Sequence, residues 1–203
     1  MTEDIRGGVA SLTISALFDQ ASSIAPVPGG GCVSAVCGYL AISILLKSIR
    51  ISAKSHPDDV TLPGVDRQLA TLANQLLNFA QADSDSFDSY MHALKLPKTT
   101  ADEIVLRQKA IHEAAIGATV AALNILDAGN QVLDIAHQVQ GRVSASIRAD
   151  ERSAVELISA MISTAEWNAA SNLAPISGET TLTKRLEDST AKHEMLLAAC
   201  HAG

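Results

Sequence analysis

Apolar residues recur every three or four positions along nearly the whole chain, and the alternation typical of strands is nowhere sustained. This period places apolar side chains on one face of an α-helix. Glycine and proline interrupt it, which predicts six helices over about 11–22, 31–52, 65–94, 100–140, 146–172 and 181–199. Thr100 and Glu103 have the spacing of a capping box at the start of the fourth helix. We expect one all-α domain over residues 1–203, a single helical bundle of five to six helices.

The second predicted helix belongs to an uncharged stretch that runs from Ile24 to Leu46. A membrane span needs about 20 consecutive apolar residues. Here the helix is expected to begin only near Gly31, and the charged residue Lys47 follows directly after Leu46, so the uncharged helical segment is shorter than a membrane span requires. We therefore expect a buried core helix and no membrane contact.

A turn with the sequence Pro-Val-Pro-Gly-Gly-Gly, residues 26–31, precedes this helix. Proline fixes φ and glycine permits close approach, so backbone N–H groups at the helix start are open to a ligand or to another helix. Cys32 and Val33 stand where a Walker A loop requires Lys and Ser or Thr, and no strand precedes the turn as a dinucleotide fold requires. Two interpretations stay open for Gly29, Gly30 and Gly31, a ligand site and tight helix packing.

Composition and charge narrow the possible classes of protein. The chain is 47% hydrophobic but only 3% aromatic, so the core must consist of Ala, Leu, Ile and Val, which favours a helix bundle. The net charge of −7 offers no basic field for phosphates and argues against a nucleic-acid-binding protein. Residues 1–6 lack the basic and apolar regions of a signal peptide, and the odd number of cysteines, three, suits a reducing compartment. We therefore expect a cytoplasmic protein.

The six histidines and three cysteines lack the spacing of metal ligands. His112-Glu113 has no second histidine at position 116, and Cys32 and Cys37 point to different helix faces. A Gly-x-Ser-x-Gly segment is also missing. The sequence therefore predicts neither a metal site nor a hydrolase nucleophile of that type.

Asp83 is the most informative single residue. The third predicted helix carries an apolar stripe, expected to pack continuously, that consists of Leu69, Leu72, Leu76, Phe79, Phe87, Tyr90 and Leu94. Asp83 takes the place in this stripe between Phe79 and Phe87, within about 40° of every member. A carboxylate turned toward a core is costly unless paired, and desolvation raises its pKa toward neutrality. The residues alone leave open a proton-transfer role and a structural role.

Three basic residues, Lys47, Arg50 and Lys54, share one face at the end of the second predicted helix. Cations at this position either stabilise the helix C-terminus or bind an anionic ligand. Both interpretations stay open.

Three polar residues, Asp150, Asn168 and Asn172, lie near one face of the fifth predicted helix. Asp150 and Asn168 are about 27 Å apart along a straight helix, so they cannot contact the same ligand atom. The alternative to ligand binding is an aspartate on the helix dipole with two exposed amides.

Three segments resemble the cyclodeaminase/cyclohydrolase family. They read Pro-Val-Pro-Gly-Gly-Gly-Cys-Val-Ser-Ala at 26–35, Ala-Asp-Ser-Asp-Ser-Phe at 82–87, and Ala-Leu-Lys-Leu-Pro-Lys at 93–98, with Arg107 downstream. The family comprises the cyclodeaminase half of formiminotransferase-cyclodeaminase and stand-alone methenyltetrahydrofolate cyclohydrolases. The resemblance extends over nearly the whole chain. It implies an all-helical fold, a homodimer, and a tetrahydrofolate derivative as substrate with no further cofactor.

The resemblance also implies roles for individual residues. Asp83 falls on the family's proton-transferring acid, Asn168 and Asn172 on its Asn-x-x-x-Asn pair, and Arg50 on the arginine of an Arg-Leu-Thr segment. Family members either expel ammonia from 5-formiminotetrahydrofolate to close the methenyl ring, or open that ring with water to give 10-formyltetrahydrofolate. The expected substrate-binding set is Gly29, Gly30, Gly31, Arg50, Lys54, Asp150, Asn168 and Asn172.

Two segments depart from the family pattern. Lys54-Ser-His-Pro-Asp58 replaces Gly-Lys-Lys-Lys-Tyr, and residues 143–150 keep only the final Asp150 of Gly-Asn-x-Asn-x-x-Ser-Asp. We expect a methenyltetrahydrofolate cyclohydrolase or a formiminotetrahydrofolate cyclodeaminase, with the former preferred because the chain contains no transferase domain. The alternative is a diverged relative without folate catalysis, which acts as a binding or scaffold protein or on another small molecule.

Overall fold

The computed structural model describes residues 8–176 and 178–202, so the signal-peptide prediction, made on residues 1–6, lies outside the described part. The predicted all-α class is confirmed, and no strand occurs among these residues. All six predicted helices are present. They are α1 (Ile14–Ala21), α2 (Gly30–Ser55), α3 (Leu62–Leu94), α4 (Ala101–Val139), α5 (Arg148–Leu173) and α6 (Thr180–Ala202), with 3₁₀ turns at Val9–Ser11, Gln140–Arg142 and Ala145–Ile147.

Local sequence sets several helix ends. The predicted capping box is present at α4, where Glu103 N–H donates to Thr100 Oγ1 over 3.2 Å and Thr100 N–H donates to Glu103 Oε2 over 2.9 Å. Pro63 lies in the first turn of α3, where its missing N–H costs nothing. The N-cap of α2 is Gly29, which has no side chain to cap the helix.

Four long helices form a ring of neighbours in the order α2, α3, α4, α5, and α6 packs against α4 and α5. Their inward faces share one hydrophobic core in which aliphatic side chains predominate, as the composition predicts. α2 is the one described helix that is long and apolar enough to cross a membrane. In the structure it is a core helix, with Ile42, Leu45 and Ile49 buried against its neighbours.

Two glycines allow α2 and α4 to approach α5 closely. A Cβ atom at Gly38 would overlap Met161 Sδ, and one at Gly129 would overlap Ile162 and lie 2.8 Å from Met161 Cε. Met161 and Ile162 are both fully buried between the helices. Tight helix packing is therefore the role of these two glycines, which the sequence did not single out.

The prediction of a continuous packed stripe along α3 is wrong at its C-terminal end. Leu69 and Leu76 are fully buried, but Phe87 and Leu94 each keep 37% of their surface exposed. The last turns of α3 are only partly covered by the described residues, because Ala93 is buried there while Phe87 and Leu94 are not.

Candidate functional site

A cleft of about 200 Å³ lies at the end of the bundle where α2 begins. The turn before α2, the C-terminal third of α3, the middle of α4 and the last turns of α5 form its walls. We call it the Asp83 cleft, and its lining residues are Pro26, Gly29, Gly30, Gly31, Asp83, Phe87, Ala118, Asn168, Ser171 and Asn172.

Gly31 and Asp83 are packed directly against each other. A Cβ atom built on Gly31 would overlap the Asp83 carboxylate, with 2.6 Å to its Cγ. Only glycine leaves room for a carboxylate at this distance from the helix backbone. A Cβ at Gly30, by contrast, would meet nothing within 4 Å. The three glycines are thus not equivalent, and Gly31 is the one that makes space for Asp83.

Asp83 lies against the first turn of α2 from the neighbouring helix. The backbone N–H of Cys32, the third residue of α2, is close enough to the carboxylate to lower its pKa. A carboxylate at this place stabilises the start of a helix whose N-cap, Gly29, has no side chain. The N–H groups of Gly30 and Gly31 belong to the same first turn, where a helix offers no internal acceptor, and both residues line the cleft. Backbone donors and one carboxylate therefore face the same small volume.

Burial raises the pKa of Asp83 above its ordinary value of 3.8, and the Cys32 N–H lowers it by a smaller amount. The desolvation of a half-buried carboxylate outweighs one hydrogen bond here. The neighbouring Cys32 thiol is fully buried, and burial raises its pKa as well. Cys32 is therefore protonated and no candidate nucleophile, whereas Asp83 is suited to gain and lose a proton.

The opposite wall consists of three polar residues from one turn of α5, Asn168, Ser171 and Asn172. The two amides are half-buried and can each donate and accept hydrogen bonds. Sequence reasoning missed Ser171, although its spacing of three from Asn168 places it on the same helix face. Phe87, one turn after Asp83, supplies an apolar edge.

Arg50, Lys54 and Asp150 lie away from the Asp83 cleft. Arg50 is 20 residues beyond Gly30 on α2, about 30 Å along the helix axis. Arg50 Nε donates to Asp66 Oδ1 over 2.6 Å, and Lys47 Nζ donates to Asp150 Oδ2 over 2.7 Å. Lys54 lies in the last turn of α2 and is exposed. Within one chain these three residues therefore do not belong to the Asp83 cleft.

The cleft has the parts of an acid–base site. It contains one carboxyl group with a raised pKa, helix-terminal N–H donors and side-chain amides. No group of three histidine, cysteine, aspartate or glutamate side chains converges as metal ligands within residues 8–176 and 178–202. The residues present can hold a polar or anionic group and transfer a proton to or from it.

The chain is similar to known proteins both in its sequence profile and in its fold. The family profile described as formiminotransferase-cyclodeaminase matches residues 13–192. The fold is similar to the crystal structure of formiminotetrahydrofolate cyclodeaminase from Thermotoga maritima, with a TM-score of 0.84, 19% sequence identity and 95% of each chain covered. No curated protein sequence matches the chain.

Proposed function

Because the chain belongs to the formiminotransferase-cyclodeaminase family, we propose that it is a folate one-carbon enzyme that acts on 5-formimino- or 5,10-methenyltetrahydrofolate. The observation that carries the proposal is the position of Asp83, half-buried against Gly31 and facing backbone donors and two amides. Both reactions occur at a single carbon bonded to nitrogen. Each needs one proton removed from the attacking atom and one delivered to the leaving nitrogen, which a single carboxyl group can do in turn.

In the cyclodeaminase direction, N10 of 5-formiminotetrahydrofolate attacks the formimino carbon. The carboxylate of Asp83 takes the proton that N10 loses, and the resulting carboxylic acid returns it to the amino group, which departs as ammonia. The new N10–carbon bond closes the methenyl ring. Burial, which raises the pKa of Asp83, favours the protonated form that the second step requires.

In the cyclohydrolase direction, water attacks the methenyl carbon and loses a proton to Asp83. The acid then protonates N5 as the N5–carbon bond breaks, the hydroxyl group on the same carbon releases its proton to solvent, and 10-formyltetrahydrofolate is left. The same residue therefore serves both directions. The cyclodeaminase activity is the one that the similar Thermotoga maritima structure carries in its name.

The rest of the cleft would hold the substrate. The Gly30 and Gly31 N–H groups suit a carbonyl or anionic group, and the Asn168 and Asn172 amides suit the polar edge of a pterin. A volume of about 200 Å³ is below the 300–1,000 Å³ typical of sites for whole drug-sized ligands. We propose that only the reacting head of the folate enters and that the remainder extends along the surface. Proton transfer suffices for both reactions, so we propose no cofactor beyond the substrate.

Within one chain, Arg50, Lys54 and Asp150 lie too far from the Asp83 cleft to contact the substrate there. They can contact it only from a second copy of the chain. We propose a homodimer, supported by large apolar side chains with high exposure, including Phe18 (70%), Val105 (63%) and Trp167 (70%). Trp167 adjoins the cleft residue Asn168 in sequence. The reduced state of all three cysteines is compatible with the cytoplasmic location that we also propose.

The second candidate function is that of a diverged family member that does not catalyse a folate reaction and acts as a binding or scaffold protein or on another small molecule. The observation in its favour is that Lys47 and Arg50 are already paired with Asp150 and Asp66, which leaves few cations for folate carboxylates. It predicts that neither reaction is accelerated.

Two spectrophotometric assays test the proposal. 5,10-Methenyltetrahydrofolate has a distinctive absorption band, which appears in the cyclodeaminase reaction and disappears in the cyclohydrolase reaction. We expect the purified protein to accelerate one of these changes above the rate without enzyme. If neither rate changes at substrate concentrations where binding is measured by calorimetry, the second candidate replaces the first.

A further inference from the structure

A second cavity, of about 570 Å³, lies at the other end of α5. α4, the 3₁₀ turn after it, the first turns of α5 and the end of α6 form its walls, so we call it the α4–α6 pocket. Its residue Glu151 is 17 residues from Asn168 along α5, which corresponds to about 25 Å. The pocket is therefore separate from the Asp83 cleft and has no part in the reaction proposed above.

Glu151 is the informative residue of this pocket. Only 4% of its surface is exposed, and its Oε1 atom is buried without a hydrogen-bond partner among the described residues. Burial raises the pKa of this carboxyl, and the charges of Arg148 and Arg152 lower it by a smaller amount. A buried carboxylate oxygen without a donor is unfavourable, and a native protein normally satisfies such a group. A ligand in the pocket that donates an N–H would do so.

Two arginines flank Glu151 on the same helix face. Arg148 and Arg152, three residues before and one after it, line the pocket and are exposed. Neither forms an ion pair or a side-chain hydrogen bond with a described residue. Glu156 is already engaged, because His201 Nε2 lies 2.8 Å from its Oε1. The pocket thus presents one buried negative charge and two accessible positive charges within about a helical turn.

This arrangement of one negative and two positive side chains disfavours the binding of a ligand that carries only one kind of charge. An anion alone would sit against the Glu151 carboxylate, and a cation alone would sit against Arg148 and Arg152. A molecule with an ammonium and a carboxylate group a few bonds apart satisfies both. Val155 and Ala136 supply apolar walls beside the charged groups. Cys200, whose thiol pKa is raised to about 11 chiefly by burial, lines the pocket as a neutral group.

We propose that the α4–α6 pocket binds a free amino acid. The ammonium group donates to the Glu151 carboxylate, the carboxylate of the amino acid accepts from Arg148 and Arg152, and the side chain lies against Val155 and Ala136. The ligand stabilises the folded protein because it supplies the missing donor to a buried carboxylate.

The test is a thermal-shift screen of the full chain with the common L-amino acids, followed by calorimetry on those that raise the melting temperature. Butyrate and butylamine, each with one of the two charged groups, are the control probes. We expect at least one amino acid to bind and both control probes to bind much more weakly or not at all. No binding by any amino acid, or equal binding of butyrate alone, overturns the proposal.

Three variants locate the site. Glu151→Gln and Arg152→Gln should each weaken amino-acid binding by about ten- to a hundredfold, the range for a charged hydrogen bond. Glu166→Gln, on α5 but outside the pocket, is the matched control and should bind as the wild type does. Arg152 is exposed, so its variant remains informative if the Glu151 variant fails to fold. Unchanged affinity in both folded pocket variants would place the amino acid elsewhere and refute the assignment.

Discussion

At the scale of single residues, the contact between Gly31 and Asp83 decides what the cleft can do. It brings a carboxyl group against the start of a helix, where backbone donors are available. A side chain at position 31 would push the carboxylate aside, and Asp83 could not stay both in the cleft and on the Cys32 N–H.

We therefore predict that Gly31→Ala strongly reduces turnover. The Asp83 side chain can rotate away from the new Cβ, so most of the fold should survive, with a loss of about 1–3 kcal/mol in the free energy of unfolding. Gly30→Ala is the matched control, because a Cβ there meets nothing within 4 Å. The measurements are urea unfolding and kcat for both variants. Equal stability of the two variants would show that the Gly31–Asp83 contact is looser than described.

A second prediction concerns the stability of Asp83→Asn. The raised pKa means that the protonated carboxyl favours the folded state. This contribution is complete below the ordinary value of 3.8 and is lost as the pH rises from there through the raised pKa. Asparagine never ionises, and its Oδ1 can still accept from the Cys32 N–H. The variant should thus be at least as stable as the wild type at neutral pH.

Melting temperatures measured across this pH range check the second prediction. The advantage of Asp83→Asn over the wild type should grow as the pH rises from below 3.8 and then level off. An advantage that shrinks with rising pH would mean that the pKa of Asp83 is lowered in the folded protein.

The sequence predicts the chemistry of Asp83 and a cleft that it shares with the turn of Gly29, Gly30 and Gly31, but not its direct contact with Gly31. Its place in the apolar stripe of α3 follows from helical periodicity, and so does partial burial. Its contact with Gly31 spans 52 positions along the chain and depends on how α2 and α3 pack, which periodicity does not specify. Helical periodicity also does not show that Arg50 pairs with Asp66 and that Asp150 pairs with Lys47. For this reason the expected substrate-binding set includes Arg50 and Asp150.

At the scale of helices, the local sequence predicts where helices begin and end, but it does not predict which residues of two helices contact each other. The capping box at Thr100 fixes the start of α4 to within one residue of the prediction, because its hydrogen bonds are local. The exposure of Phe87 and Leu94 was not predictable, since an apolar face does not reveal which of its residues have partners in one chain.

The capping box yields a third prediction. Thr100→Ala should lower the free energy of unfolding by about 1 kcal/mol, because the Glu103 N–H loses its acceptor. Thr99→Ala is the control, since Thr99 contributes only its backbone N–H to Glu103. Urea unfolding of both variants is the measurement. A loss as large in the control would assign the effect to helix propensity and not to the cap.

Two glycines on α4 give a fourth prediction. Gly129→Ala should destabilise the protein by about 1–3 kcal/mol, because the added Cβ displaces buried Ile162 and Met161. Gly117→Ala should instead stabilise it by about 0.5–1 kcal/mol, because position 117 is exposed, meets nothing within 4 Å and favours alanine. Opposite signs in thermal unfolding are expected. If both variants changed the stability in the same direction, α4 and α5 would be farther apart at Gly129 than the structure shows.

At the scale of the whole molecule, the bundle separates two sets of polar residues along α2 and α5. The Asp83 cleft lies at one end, while the Lys47–Asp150 and Arg50–Asp66 pairs lie toward the other. The separation along each helix follows from the sequence, because it depends only on helical rise, but which ends of α2 and α5 lie together follows only once the helices are assembled into a ring.

The separation gives a fifth prediction. Asn168→Ala should raise KM for the folate substrate by about tenfold, the cost of roughly one hydrogen bond, because its amide lines the cleft. Arg50→Ala should raise KM only in the proposed homodimer, where Arg50 of a second copy can reach the cleft, because within one chain Arg50 lies about 30 Å away. Sedimentation analysis shows which oligomeric state applies. If Arg50→Ala raises KM in a protein shown to be monomeric, the substrate does not occupy the Asp83 cleft.

The proposed proton transfer by Asp83 to and from a folate one-carbon unit can be tested with one assay. The rate of change of the 5,10-methenyltetrahydrofolate absorption band is measured with wild-type protein and with Asp83→Asn, at equal protein concentration and after both are shown to be folded. We predict measurable turnover for the wild type and a loss of about a hundredfold or more for the variant, the usual contribution of a general acid–base group. Full turnover by the folded Asp83→Asn variant would contradict the proposed role of Asp83.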